Sequence, residues 1–197
     1  MKTDISARAE RTRALLLDAA VAAFAERGFH GTSTRNITDA AGLSSAALYV
    51  HHESKEELLF EISRAGHQET LAIVESAAAS SADHIERLRT LVQGYALFHA
   101  HKHTMARVIN YEMAALSPEH QAEIAQIRRQ IDAVIREVVS AGVAAGVFTT
   151  SDPRMTAVAV ESLGIDIARW YRPEGGWEPE QIATGYVAMA LRLVGIG

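Results

Sequence analysis

The sequence predicts an all-α fold. Three observations carry that expectation. Apolar residues recur three and four positions apart along most of the chain, with no sustained alternation of the kind a half-buried strand needs. Helix starts are written as a capping side chain followed by proline, at Ser117-Pro118 and Asp152-Pro153. Glycines stand where helices should stop, at Gly28, Gly42 and Gly146.

Residues 1–7 read as an arm, followed by a first helix to about Arg27 with Leu16, Ala19, Ala20, Ala23 and Phe24 on its buried face. Arg8, Arg11 and Arg13 cluster at its expected start, where cations oppose the helix dipole unless an anion is near. A short helix over Thr34–Ala41 carries Ile37, Ala40 and Ala41 on one face, and Gly42 supplies the stop. Ser44 caps a second short helix, Ser45–His51, which buries Leu48. Two short helices joined by a tight glycine turn form a helix-turn-helix, and the second is of the size that enters a DNA major groove.

Ser54-x-x-Glu57 is a capping box opening a long helix to about Ala79. Lys55 lies in its first turn, a place for a cation only beside an anion such as a backbone phosphate. The Ala/Ser run at 76–82 reads as a fraying end. Ile85, Leu88, Leu91, Val92, Tyr95 and Phe98 then mark one helix, and Met105 to Ala115 another. Ser117-Pro118-Glu119 starts a helix of roughly 40 Å at 1.5 Å per residue, ending near Gly146. Asp152-Pro153 opens one to about Tyr171, and Pro179 opens the last. These final two are apolar over a wide arc, through Val158, Leu163 and Ile165, then Val187, Met189 and Leu191, so they need neighbours on two sides.

Composition narrows the function. The chain has 197 residues, no cysteine and a net charge of −5. Disulfides, a thiol nucleophile and a cysteine zinc site are therefore excluded. The first fifty residues hold six basic and five acidic side chains, a net +1 against −6 for the rest, which is a weak electrostatic footprint for DNA. No apolar run approaches the roughly 18 residues of a membrane span, and Met1-Lys2-Thr3-Asp4 begins no signal peptide, so a cytoplasmic location is expected. No phosphate-binding loop, nucleophile elbow or paired metal-ligand motif is present, and the chain does not read as an enzyme. His99, His101 and His103 read as surface or pocket histidines, not metal ligands.

From Ile37 to Leu58 the chain resembles the TetR family of transcriptional regulators. The resemblance rests on Ile37-Thr38-Asp39-Ala40-Ala41-Gly42-Leu43-Ser44, Leu48-Tyr49-Val50-His51-His52 and Ser54-Lys55-Glu56-Glu57-Leu58. It reaches back through Leu16 to Ala20 and Phe24 to Phe29. Two positions depart from the pattern: His52 replaces an aromatic, and Ser45 and Ala46 stand where a basic residue usually opens the recognition helix. The resemblance implies a helix-turn-helix DNA-binding domain over residues 1–53 and a ligand-binding and dimerisation domain over 54–197. It implies a homodimer on a double-stranded, palindromic DNA operator, without cofactor, metal or membrane. Thr34, Arg35, Ser44, Ser45, Ala46, Tyr49, His51 and Lys55 would face the DNA.

Arg169-Trp170-Tyr171-Arg172-Pro173 with Gly175-Gly176 is similar to a segment of a TetR branch that senses CoA thioesters. That implies a repressor released by a small apolar effector, such as an acyl-CoA. Arg169 and Arg172 suit phosphates and Trp170 suits stacking. His99, Arg107, Asn110, Tyr111, Glu112 and Glu161 are the other candidates to face the ligand. The alternative is a TetR-like helical protein that binds small molecules, or acts on them, without binding DNA.

Overall fold

The computed structural model describes the backbone from Lys2 to Gly197 and the side chains from Ala7 onward. Among the described residues every element is helical. In chain order they are α1 (Lys2–Gly31), α2 (Thr34–Ala40), α3 (Ser45–His51), α4 (Lys55–Ala78), α5 (His84–His101), α6 (His103–Tyr111), α7 (Pro118–Ala144), α8 (Pro153–Trp170) and α9 (Pro179–Leu193), with a 3-10 turn at Met113–Ala115. The all-α expectation holds.

Two boundaries differ from expectation. Helix α1 begins at Lys2, so there is no arm from Lys2 onward, and Met1 lies outside the described residues. Arg8, Arg11 and Arg13 are thus interior to the helix, and the dipole argument for them does not apply. Gly28, at φ 70 and ψ 166, breaks α1 as anticipated, but one further turn follows it. The expected helix from Met105 to Ala115 is α6 plus the 3-10 turn, and Lys102 separates it from α5. His99 and His103 therefore lie on different helices. His99 is buried, His103 sits against Tyr171 with ring centroids 5.2 Å apart, and the exposed His101 faces Glu180.

The caps follow the local chemistry. Ser33, which the sequence reading passed over, caps α2 in a reciprocal box with Asn36. Gly42 at φ 66 lets the Leu43 N–H donate back to the Thr38 carbonyl, 2.9 Å, closing α2. Ser44 caps α3 through the Ala47 N–H, and Asp152 caps α8 through the Met155 N–H. The box at Ser54 is only half formed. Ser54 Oγ accepts from Glu57 N–H, but the Glu57 carboxylate accepts from Glu53 N–H, one residue before the cap.

One apolar core runs through both halves of the chain, from Leu16, Phe24, Ile37 and Leu48 to Leu58, Leu91, Ile124, Ile135 and Val160. Helix α5 packs on α9 and α8, α4 on α5 and α7, and α6 bridges α1 to α4 and α8. The ring of Tyr95 on α5 abuts Gly164 of α8, where a Cβ would come within 2.2 Å of it. Any larger residue there would push α5 and α8 apart.

Candidate DNA-binding face and ligand cavities

Helices α2 and α3 form a compact corner. Ile37 and Leu48 are fully buried and anchor one helix each. The outer face of α3 presents Ser45, Ala46, Tyr49 and Val50, with Tyr49 58 % and Val50 77 % exposed. Arg35 on α2 is free to reach a phosphate, since its only ionic neighbour among the described residues is Asp39 at 3.7 Å, with both groups largely exposed. Thr34 and His51 are half-buried at the edges of the same face, and Ser44 is exposed beside them. The sequence reading missed Val50. An apolar residue turned to solvent on so short a helix is the signal that could have found it, because it suits contact with a thymine methyl.

Lys55 has partners within the chain. Its ammonium donates to the carbonyls of Phe29, 2.8 Å, and Thr32, 2.7 Å, and lies 4.2 Å from the Phe29 ring centroid. The cation expected to need a phosphate already has two carbonyl partners at the end of α1. Thr32 Oγ1 donates to Gly28 O, 2.8 Å, and Ala23 O, 3.1 Å, and secures the same corner. Lys55→Gln is therefore expected to lower thermal stability and to leave the slope of log affinity against log salt unchanged. A lost phosphate contact would instead reduce that slope by about one. A salt series of anisotropy titrations with a melting curve separates the two.

His52 fills the place of the usual aromatic. Its side chain is wholly buried, with Nδ1 3.5 Å from Glu61 Oε2 and neither ring nitrogen hydrogen-bonded. Glu61 is held by Arg13, whose Nε donates at 3.2 Å. Burial lowers the His52 pKa, while Glu61 pulls the other way. The imidazole thus packs as a neutral ring behind α3, between α1 and α4, and Arg13 is tied to α4.

Eight of the nine candidate ligand residues fall into three places, and Arg172 lines none of them. Arg107, Tyr111, Glu112 and Arg169 line a cleft of about 240 Å³ against Phe24 and Gly28 of α1. Glu112 accepts from Phe29 N–H there, 3.2 Å, joining α6 to α1, and the buried Arg107 Nε has no hydrogen-bond partner among the described residues. Trp170 instead faces an open groove of about 480 Å³ on α9, edge-on to Trp177 with ring centroids 6.0 Å apart. Arg172 is exposed and donates to the carbonyls of Tyr171, 2.7 Å, and Arg169, 3.2 Å, so its guanidinium caps the end of α8. Arg169 is paired with Asp166 at 2.6 and 2.9 Å. The two arginines do not converge on a common anion position.

His99, Asn110 and Glu161 belong to the third place, an inner chamber between α4, α5, α6, α7 and α8 that also takes His67, Thr70, Tyr95 and Arg128. The sequence reading missed His67, Thr70 and Arg128. Ser63, His67 and Thr70 recur at helical spacing on the inward face of α4, and polar residues on such a stripe were the available signal. Burial holds both His67 and His99 down to about 4. It raises Glu161, while Arg128 opposes that rise.

Comparison with known proteins agrees with this architecture. The family model described as bacterial regulatory proteins, tetR family, matches residues 16–62, and that for a tetracyclin repressor-like C-terminal domain matches residues 81–194. The HTH-type transcriptional repressor KstR2 of Mycobacterium tuberculosis is 31% identical over 191 residues, spanning 95% of this chain and 94% of that one. Among solved structures, a tetR-family regulatory protein from Rhodococcus RHA1 superposes with a TM-score of 0.88 at 39% identity, covering 94% of this chain and 98% of that one. AibR in complex with isovaleryl coenzyme A and operator DNA superposes at 0.81 with 29% identity, covering 90% and 97%.

Proposed function

The chain belongs to the TetR family of bacterial regulatory proteins, and from that premise we propose that it is a repressor that leaves its operator when a CoA thioester binds. It is a transcriptional regulator with a helix-turn-helix, and among the described residues no helix is long and apolar enough to cross a membrane. The observation that carries the reading is the solvent-facing surface of α3, where Tyr49 and Val50 stand exposed on a helix anchored by Leu48 alone. Ser44, Ser45, Ala46 and Val50 would meet base edges, and Thr34, Arg35, Tyr49 and His51 the backbone. Residues 1–53 would act as the reading head and 54–197 as the sensing and pairing body. The regulator would work in the cytoplasm and catalyse nothing.

A single head of this size binds weakly, so pairing matters. Met155 and Val158 on α8 and Met189 and Leu193 on α9 are exposed apolar side chains on the two helices with the widest apolar arcs. A second copy of the chain on that face would set two α3 helices against a palindrome, about one turn of DNA apart. The effector reading is supported by AibR, which is described with isovaleryl coenzyme A and operator DNA. It is supported as well by the cleft at Arg107 and Glu112, which touches both α6 and α1. A ligand that spreads this joint favours a spacing of the two heads that no longer fits the groove, and DNA affinity falls by that differential binding energy.

The test is an anisotropy titration of the purified protein on operator fragments from its own genome, at several salt concentrations, with and without CoA thioesters. A steep salt dependence and release by a thioester are expected. Specific binding that no thioester weakens rules out the effector half, and the lack of specific binding to any fragment rules out the regulator's mode of action.

A further inference from the structure

Helix α3 lacks the side chains that usually read bases. In the major groove guanine is read by arginine or lysine, adenine by the two ends of an asparagine or glutamine amide, and cytosine by a carboxylate. Ser45-Ala46-Ala47-Leu48-Tyr49-Val50-His51 contains none of these. Helix α2 does not supply them. Asn36 Oδ1 accepts from Ser33 N–H at 2.9 Å and from Ser33 Oγ–H at 2.6 Å, which fills both of its lone pairs and leaves no acceptor for an adenine. Arg35 is the one arginine between Ser33 and His52, and the reading above places it on the backbone. Asp39, the one carboxylate in that stretch, faces Arg35 at 3.7 Å.

What α3 does present is largely apolar. At 100° per residue, Ser45, Ala46, Tyr49 and Val50 fall within an arc of about 140°, and all four are exposed. Tyr49 belongs to the backbone in the reading above, and a serine hydroxyl, both donor and acceptor, discriminates little. Ala46 and Val50 remain, one helical turn apart with Cβ atoms about 5–6 Å from each other. Bases along a strand rise about 3.4 Å per step, so this pair spans one to two steps. Among the described residues Val50 is the most exposed large apolar side chain, and Leu48 alone anchors its helix, so the Val50 surface gives nothing to folding. The thymine C5-methyl is the apolar group that a base pair offers in the major groove. Covering the two surfaces together is favourable without any hydrogen bond.

We propose that α3 reads its operator through thymine methyl groups, with Ala46 and Val50 as the specificity-determining residues and no paired hydrogen bonds from this helix to a base edge. The proposal rests on the operator-binding reading above and names the feature of the DNA that the helix recognises; it does not depend on any effector. Recognition then follows the methyl group and not the base pair that carries it. A 5-methylcytosine·guanine pair resembles thymine·adenine to α3, and a uracil·adenine pair does not, although uracil keeps the hydrogen-bonding pattern of thymine.

The experiment is anisotropy titration of the full-length protein, at fixed salt, on an operator fragment from its own genome. Thymines of both half-sites are replaced symmetrically by uracil, one position at a time. The same thymine·adenine pairs are then replaced by 5-methylcytosine·guanine and by cytosine·guanine. At one or two positions per half-site uracil should weaken binding, by about fourfold for each methyl group removed. At those positions the methylated pair should bind more tightly than cytosine·guanine by a similar factor. Val50→Ser, checked for fold by its melting curve, should abolish the uracil effect at one of them, whereas an effect of DNA stiffness would survive the substitution. Uracil bound as well as thymine at every position overturns the proposal and leaves the operator reading intact. A methylated pair no better than cytosine·guanine, or a Val50→Ser protein that keeps every uracil effect, overturns it as well. No specific binding to any fragment overturns both.

Discussion

Leu48→Ala is expected to weaken operator binding by about a hundredfold or more while changing the far-ultraviolet helix signal little. Helix α3 has seven residues, far below the length at which an isolated helix holds in water. Leu48 is its only buried residue, and its neighbours are α2 and α1. Truncating a buried leucine costs about 2–5 kcal/mol, and each 1.4 kcal/mol is about tenfold in an equilibrium. Nothing else on α3 offsets a loss of that size, so α3 detaches while α4 to α9 keep their own contacts. Anisotropy titration at fixed salt, beside circular dichroism, reads both effects. Val50→Ala is the matched control: with 77 % exposure the side chain contributes little to folding, so stability should hold while preference among operator variants shifts. A Leu48→Ala protein that binds its operator like the parent would remove α3 as the reading element.

The corner that makes this prediction was legible in the sequence because its signals are local. Gly42 fixes a turn that few other residues accept, Ser44 needs only the N–H three residues on, and Leu48 is the one large apolar residue of its segment. Family resemblance added the name of the motif and not its geometry. Where the reading failed, the deciding partner lay far along the chain. Lys55 reads as a phosphate contact because its own helix turn is wrong for a cation, and the carbonyls that also satisfy it, those of Phe29 and Thr32, are not visible from that turn. The break at Lys102 falls between the two helices expected there, with no glycine or proline to mark its exact place. The ligand set scattered for the same reason. Arg169, Trp170 and Arg172 are neighbours in sequence, yet the end of α8 turns each toward a different surface. Conversely His67, Arg128 and Glu161 come from three helices and meet only when α4, α7 and α8 pack.

That packing also makes the protein acid-sensitive in a defined window. Burial holds His67 and His99 near 4, against about 6.5 for an unfolded histidine. The folded state therefore favours the neutral rings, and the unfolded chain takes up protons first. Their contribution is complete above pH 6.5 and is lost progressively as the pH falls towards 4. Each shift corresponds to about 3 kcal/mol, a large part of the 5–15 kcal/mol that holds a typical domain. His52 has a lowered pKa as well and adds in the same direction. Glu161 acts in the opposite sense, because burial raises its pKa and folding favours its protonated form, so it offsets part of the loss. Arg128 faces the same chamber. Urea unfolding at steps from pH 7.5 to 4.5 should show stability falling below pH 6.5, and a His67→Leu, His99→Leu double variant should flatten the decline. Nuclear magnetic resonance of the two imidazoles should find them neutral at pH 6, with the single ring proton on Nδ1. Rings that titrate near 6.5 in the folded protein would mean that water reaches the chamber freely, and the expected fall in stability below pH 6.5 would then not arise from these two histidines.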